Sequence, residues 1–197
     1  NRATLWLAVN AGSMQEDDDQ LGLAHFLEHM AFNGTKRFKK QEIVDYLEGI
    51  GMRFGPDLNA YTSFDETVYM LEVPSDDPQI LEKAFLILHE WAQGVSMEKE
   101  EIEKERGVVL EERRQGLGAR ARIRDKQLPV ILHGSRYADR LPIGTEEVLK
   151  NALPETIRRF YGDWYRPDLM AIIAVGDFDK TRIEAQIKER FSDLKGP

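Results

Sequence analysis

The stretch His25-Phe26-Leu27-Glu28-His29 places two histidines four positions apart. On an α-helix this spacing puts the second imidazole one turn above the first and about 40° around the axis, so both can reach one metal ion. Glu28 lies about 60° to the other side of His25, close enough to contact a water molecule on that ion. The apolar side chains of the same stretch lie on the opposite face and can anchor the helix in a core: Leu23, Phe26, Leu27 and Met30.

The order of these residues, H-x-x-E-H, is the reverse of the common H-E-x-x-H and is typical of one class of zinc peptidases. A single histidine on a helix is most often an ordinary core or surface residue. Two histidines at ligand spacing with an acid between them favour a metal site instead. Because a five-residue pattern also arises by chance, this interpretation needs a third ligand.

The composition narrows the class of protein. A length of 197 residues with 42% hydrophobic residues is sufficient for one domain with a substantial core. A net charge of -8 argues against nucleic acid as a partner, since phosphates demand a basic surface. No apolar run approaches the roughly 20 residues that span a bilayer. The chain has no cysteine, and zinc would therefore be held by nitrogen and oxygen ligands.

Apolar periodicity and turn residues predict strands and helices that alternate irregularly along the chain. The predicted strands cover residues 5–9, 52–62, 67–73 and 169–175. The predicted helices cover about 20–32, 41–47, 78–93, 97–115, 154–165 and 179–191. The acidic run 16–19 is interpreted as a solvated loop and as charge at the entry of the following helix, and the basic stretch 113–126 as a solvated face. The predicted fold is α+β: a two-layer sandwich in which a mixed, mostly antiparallel sheet packs against helices.

The candidate for the third ligand lies in the charged helix predicted at 97–115. At about 100° per residue, Glu105 and Glu112 share a stripe with the apolar Ile102 and Val109, whereas Glu111 is turned away by about 100°. A buried carboxylate is costly unless it is paired or binds a metal. Glu112 is therefore the predicted third ligand, and Glu105 a predicted acid that supports the site. Two histidines and one glutamate, with a fourth position open to water, are typical of catalytic zinc.

Three motifs in order resemble the pitrilysin and insulin-degrading enzyme family, which includes the mitochondrial processing peptidase. They are His25-Phe26-Leu27-Glu28-His29-Met30-Ala31-Phe32-Asn33-Gly34-Thr35, Asn59-Ala60-Tyr61-Thr62 and Glu105-Arg106-Gly107-Val108-Val109-Leu110-Glu111-Glu112. Residues 134–137 and 141–144 resemble most closely the bacterial zinc proteases of this family. The interval from His29 to Glu112 is several residues longer than in the best-known members, and the stripe argument selects Glu112 over Glu111.

The resemblance implies a zinc-dependent endopeptidase domain with Zn²⁺ on His25, His29 and Glu112. Glu28 would act as general base, with Glu105 supporting the metal site. The strand at residues 59–61 would bind an extended peptide substrate: Asn59, Ala60 and Tyr61. Residues 1–197 would form a single N-terminal zinc-binding domain, a fragment of a longer protein whose further domains close over the site. The resemblance favours a bacterial periplasm or cell envelope.

Two other interpretations remain open from the sequence. The chain could be a non-catalytic family subunit used for assembly or substrate binding, although such members usually lose a ligand and none is lost here. It could also be an unrelated globular domain with a chance motif. Zinc content separates an unrelated domain from a member of the family. Peptide hydrolysis separates an active peptidase from a non-catalytic subunit.

Overall fold

The computed structural model describes residues 1–116 and 118–196. Four strands in these ranges form one sheet: β1 (Arg2–Val9), β2 (Leu58–Thr62), β3 (Thr67–Pro74) and β4 (Met170–Gly176). Their order across the sheet is β2-β3-β1-β4, and each neighbouring pair is antiparallel. The strand from residues 169–175 predicted by the sequence therefore joins the sheet beside the N-terminal strand, with Ala174 opposite Leu5.

Eight α-helices complete the described part of the chain. They are α1 (Leu23–Phe32), α2 (Glu42–Gly49), α3 (Pro78–Gln93), α4 (Lys99–Gln115), α5 (Ala119–Ile131), α6 (Glu146–Asn151), α7 (Pro154–Trp164) and α8 (Lys180–Phe191). None of the helices in residues 1–116 and 118–196 combines the length and apolarity needed to cross a membrane.

One face of the sheet carries the core. Alternate residues of β1 are fully buried, namely Ala3, Leu5, Leu7 and Val9, because successive side chains of a strand point to opposite faces. Helix α3 packs on β1 and β3, α1 packs on β2 and β3, and α4 and α7 pack against α1. The predicted α+β fold, with a mostly antiparallel sheet packed against helices, is confirmed, and α1 is held between the sheet and α4.

The structure corrects several predicted boundaries. Strand β2 begins only at Leu58, because the Asp57 carboxylate and main chain bond the main chain of Arg53 and close a turn there. Helix α1 begins at Leu23 rather than near residue 20, since residues 18–20 form a separate 3₁₀ turn. The basic stretch 113–126 is divided between the end of α4 and a separate helix, α5. Leu117, within that stretch, and Pro197, at the end of the predicted domain, lie outside the described residues.

The interpretation of residues 16–19 as a solvated loop is wrong for its first residue. Asp17, Asp18 and Asp19 are exposed, but Glu16 is fully buried. Its carboxylate turns inward onto the main chain at the start of α1.

Candidate metal centre

Two helices that are far apart in the sequence bring three ligand-type side chains together. His25 and His29 lie one turn apart on α1, and Glu112 lies near the end of α4. The Nε2 atoms of the two histidines are 3.2 Å apart. Glu112 Oε2 is 3.2 Å from His29 Nε2, and Glu112 Oε1 is 3.7 Å from His25 Nε2. These three residues are the one group of histidine and acidic side chains in the described ranges that is close enough to hold a metal ion.

The spacing of these atoms fits a zinc ion. Ligands about 2.0–2.1 Å from a tetrahedral ion lie about 3.3–3.4 Å from one another, and the three contacts, at 3.2, 3.2 and 3.7 Å, are close to that spacing. Two imidazoles and one carboxylate form a nitrogen and oxygen donor set that suits zinc. The two Nε2 atoms also lie close enough to each other that one cation between them would be bound by both.

His29 is oriented through its other ring nitrogen. His29 Nδ1 lies 2.8 Å from Glu105 Oε1, and Asn33 Nδ2 donates to Glu105 Oε2 at 2.7 Å and to the His29 carbonyl at 3.2 Å. With its proton on Nδ1, His29 presents the Nε2 lone pair to the metal position. Burial alone would lower the pKa of His29, but the hydrogen bond and charge of Glu105 raise it above the ordinary value.

His25 has no such support among the described residues, since its buried Nδ1 has no hydrogen-bond partner there. Its ring packs edge-on against the ring of His29, with centroids 4.7 Å apart. Burial and the neighbouring His29 lower the pKa of His25 to about 4. The ring is therefore neutral at physiological pH, which is the form that ligates metals.

Glu28 faces the same cavity as the three ligands and is mostly buried. Its Oε2 accepts a hydrogen bond of 2.7 Å from the hydroxyl of Thr62, at the end of β2. Burial raises the pKa of Glu28 above the ordinary carboxyl value, and the Thr62 hydroxyl and the charge of His29 partly oppose this effect. A carboxylate with a raised pKa beside a metal position is suited to accept and return a proton.

The apolar residues of the α4 stripe are buried as predicted, but one acid of the stripe is not. Ile102 and Val109 are fully buried, and Glu105 is partly buried, with 12% of its side chain exposed. Glu112 leaves half of its side chain exposed, because this turn of α4 borders the open cavity rather than the core. Glu111 points elsewhere and pairs with Arg114 at 2.7 Å.

Strand β2 forms one wall of the cavity, which has a volume of about 920 Å³. Strand β2 is the first strand in the sheet order, so its outer edge faces no other strand in the described chain. Asn59 and Tyr61 are exposed, and Ala60 between them is partly buried, with its N–H bonded to Asn59 Oδ1 at 3.0 Å. The structure thus places the three predicted substrate-binding residues beside Glu28 and the ligand cluster.

Two residues that contact this site were not assigned roles from the sequence. Asn33 holds Glu105, and Thr62 holds Glu28. Both stand inside the quoted motifs, Asn33 directly after α1 and Thr62 at the end of β2. Only the fold shows which side chain each of them bonds.

Comparisons with known proteins agree with this geometry. Residues 1–129 match the family described as Insulinase (Peptidase family M16), and residues 152–197 match the Peptidase M16 inactive domain. A PQQL-like zinc protease of Arabidopsis thaliana is 46% identical over 195 residues, which cover 98% of this chain and 20% of that protein. A stromal processing peptidase of Pisum sativum is 35% identical and covers 87% of this chain and 13% of the relative.

Solved structures give the same result. The periplasmic protease PqqL of Escherichia coli matches with a TM-score of 0.94 and 42% identity over 98% of this chain and 21% of its own. The ferredoxin protease FusC, in complex with Arabidopsis ferredoxin, matches with a TM-score of 0.90 and 30% identity over 100% of this chain and 22% of its own. The chain spans about a fifth of the length of these two proteins and of the Arabidopsis relative. The resemblance seen in the three motifs is confirmed: the chain belongs to the insulinase family of peptidases, family M16.

Proposed function

We propose that this chain is the zinc-binding domain of a metalloendopeptidase that hydrolyses extended peptides or unfolded segments of proteins. The observation that carries the proposal is the meeting of His25, His29 and Glu112 in one cavity with Glu28. Relatives named zinc proteases support the same chemistry. We further propose that residues 1–197 form a single N-terminal domain of the longer protein.

The donor atoms of His25, His29 and Glu112 would hold zinc, with Glu105 and Asn33 fixing the orientation of His29. Zinc bound there would polarise the scissile carbonyl and acidify the attacking water. Glu28 would take a proton from the attacking water and pass it to the leaving amine as the peptide C–N bond breaks. Thr62 restrains the Glu28 carboxylate, so that it faces the cavity during both transfers.

The edge of β2 offers a site for the peptide. An extended chain that adds to this edge gains main-chain hydrogen bonds, and its selectivity must come from side-chain pockets. Asn59, Ala60 and Tyr61 would form that docking edge. Phe32, Phe54 and Val108 also line the cavity, and apolar side chains of the peptide would pack against these three residues.

The remaining parts of the longer protein would complete the site. A further half that closes over this domain would clamp the peptide and supply oxyanion donors, and the loss of one such donor costs about 10²–10³-fold in rate. FusC acts on a protein, ferredoxin, which is consistent with a protein or peptide substrate here. The periplasmic location of PqqL supports the same compartment for this protein.

The test compares Glu28→Gln with the wild type in the full-length protein, using fluorescein-labelled casein as an unfolded substrate. We expect Glu28→Gln to keep its zinc and to lose about 10²–10⁴-fold in rate, because only the general base is removed. The matched control is Glu100→Gln, an exposed acid on α4 that should leave both quantities unchanged. Loss of zinc from Glu28→Gln would make Glu28 a ligand or a structural residue. A wild type that binds zinc but cleaves nothing would be a non-catalytic family subunit.

A further inference from the structure

Helix α1, which carries both histidines, begins without a capping side chain of its own. The residue before its first turn is Gly22, with φ of 95° and no side-chain cap. A larger residue does not fit there, since a Cβ at Gly22 would lie 2.8 Å from the Cα of Gly144. The N–H groups at the start of a helix have no partner within the helix. Those of α1 therefore need an acceptor from elsewhere in the chain.

Glu16 provides that acceptor from six residues upstream. Its Oε2 accepts from the N–H of Gly22 at 3.0 Å, and its Oε1 accepts from the N–H of Ala24 at 2.8 Å. The residue is fully buried. A buried carboxyl group is costly unless its hydrogen bonds are satisfied, and here both oxygens are used to hold the first turn of the helix.

The segment that contains Glu16 is itself fixed by the loop around residue 140. The Glu16 carbonyl accepts from Arg140 Nε at 3.0 Å and from Arg136 Nη2 at 2.6 Å. In return, the hydroxyl of Ser13 donates to the Arg140 carbonyl at 2.5 Å. Both arginines bond the main chain of Glu16, and the two carboxyl oxygens are left for α1. Glu16 is thus a rigid connection between this loop and the metal helix.

The two histidines of α1 depend on this connection to different degrees. His29 is held through its second ring nitrogen by Glu105, whereas the second ring nitrogen of His25 has no partner in the described chain. Metal-bound histidines are usually oriented by such a partner. His25 directly follows Ala24, whose N–H is bonded to Glu16. Its position must therefore be set by the backbone of the first turn and by packing.

We infer that Glu16 is a positioning residue for the metal site: by fixing the first turn of α1, it sets the distance of His25 from His29 and Glu112. This inference rests on the proposed metal site. The proposed role of this buried acid, nine residues before the first ligand, is to position that ligand rather than only to stabilise the fold.

The test measures metal binding in the full-length protein without any peptide hydrolysis. Glu16→Met keeps a similar volume and removes both acceptor oxygens, and Glu16→Gln retains one carbonyl acceptor. The dissociation constant for zinc is measured by competition with a chromophoric chelator, and the ligand geometry by the visible absorption spectrum of the Co²⁺ form. The control is Glu155→Met, at the start of α7, whose side chain is largely exposed.

We expect Glu16→Met to weaken zinc binding by about 10-fold, the lower end of what loss of a supporting partner costs a metal site. The Co²⁺ spectrum should change with it, Glu16→Gln should lie between Glu16→Met and the wild type, and Glu155→Met should match the wild type. The melting temperature of each zinc-free variant separates stability from positioning. If Glu16→Met melts lower but keeps the wild-type zinc affinity and Co²⁺ spectrum, Glu16 is merely structural and the inference is wrong.

Two further results keep the test decisive. If Glu16→Met does not fold, Glu16→Gln decides, and an unchanged spectrum and affinity for that variant overturn the inference. A His29→Ala control reports on the proposed metal site itself. Zinc binding that is insensitive to His29→Ala would refute the metal site, whereas sensitivity to His29→Ala with none to Glu16→Met would refute only the role of Glu16.

Discussion

Replacing Glu112 by Gln should weaken zinc binding far more than replacing its neighbour Glu111 by Gln. Glu112 lies 3.2 Å from His29 Nε2 and 3.7 Å from His25 Nε2, so its substitution removes the one negative ligand of the cluster. Glu111 pairs with Arg114 on the exposed side of α4, and hydrogen bonds to Arg114 and Gln115 lower its pKa to about 2. The two substitutions remove the same charge from adjacent positions, and only one of them faces the metal position.

The size of the effect can be estimated from the role of each residue. A supporting partner contributes about 10–100-fold in metal affinity, so loss of a direct ligand should exceed about 100-fold. A metal bound only by the folded state adds RT ln(1 + [L]/Kd) to stability, which is about 4.1 kcal/mol at 1,000 times the wild-type Kd. With a Kd 100-fold weaker, the same zinc concentration adds about 1.4 kcal/mol. Glu112→Gln should therefore lose about 2.7 kcal/mol of zinc-dependent stability.

The assay is denaturant unfolding of each variant with and without zinc, at free zinc fixed by a buffer at 1,000 times the wild-type Kd. The difference between the two unfolding free energies isolates the metal contribution, since any general destabilisation appears in both. Glu111→Gln should keep the wild-type difference. If Glu111→Gln loses it and Glu112→Gln does not, the third ligand has been assigned to the wrong residue of α4.

Three other predictions follow from the same contacts. At matched zinc occupancy, residues 1–197 alone should cleave labelled casein at least about 100-fold more slowly than the full-length protein, since the proposed closing half would supply the oxyanion donors; comparable turnover would show that the domain is catalytically complete. Asn33→Ala should weaken zinc binding about 10-fold by releasing Glu105, and an unchanged affinity would exclude that support. Burial raises the pKa of Glu16 to about 8, against about 4.3 in an unfolded chain. Between these two pKa values the folded state retains a proton that the unfolded state has lost. The free energy of unfolding of the wild type, relative to that of Glu16→Gln, should therefore fall as the pH rises from about 4 to about 8. The slope should be at most about 1.4 kcal/mol per pH unit. A difference that is constant with pH in denaturant titrations would contradict this.

The sequence predicts structure best where residues of one kind recur with the period of a single helix or strand. The ligand spacing on α1 depends only on helix geometry, and the burial of Ile102 and Val109 follows from the stripe on α4. Strands β1, β3 and β4 were predicted within one to three residues at either end, because each is a run of apolar residues that ends at a turn. The sheet order needed the fold, whereas the meeting of α1 with α4 is implied by the prediction of Glu112 as third ligand.

The sequence fails where a polar residue bonds a partner that is distant in the chain. Asn33 and Glu105 are separated by 72 positions, and Thr62 and Glu28 by 34. Glu16 stands in an acidic run that is typical of a solvated loop, and periodicity cannot show that its side chain is buried. Arg140, which fixes the main chain of Glu16, is 124 positions away. No local pattern predicts such pairs.

The three proposed ligands come from two helices, and the geometry of the metal site therefore depends on how these helices pack. His25 and His29 share one short helix, so their mutual geometry survives small movements of the domain. Glu112 belongs to another helix, and its distance from them is set by the packing of α4 on α1 through buried side chains such as Val109. Packed interiors transmit small changes in volume as shifts of whole elements. A substitution in the core between these helices should therefore weaken zinc binding through Glu112 alone, without touching any ligand, and bound zinc should in turn stabilise the contact between α1 and α4.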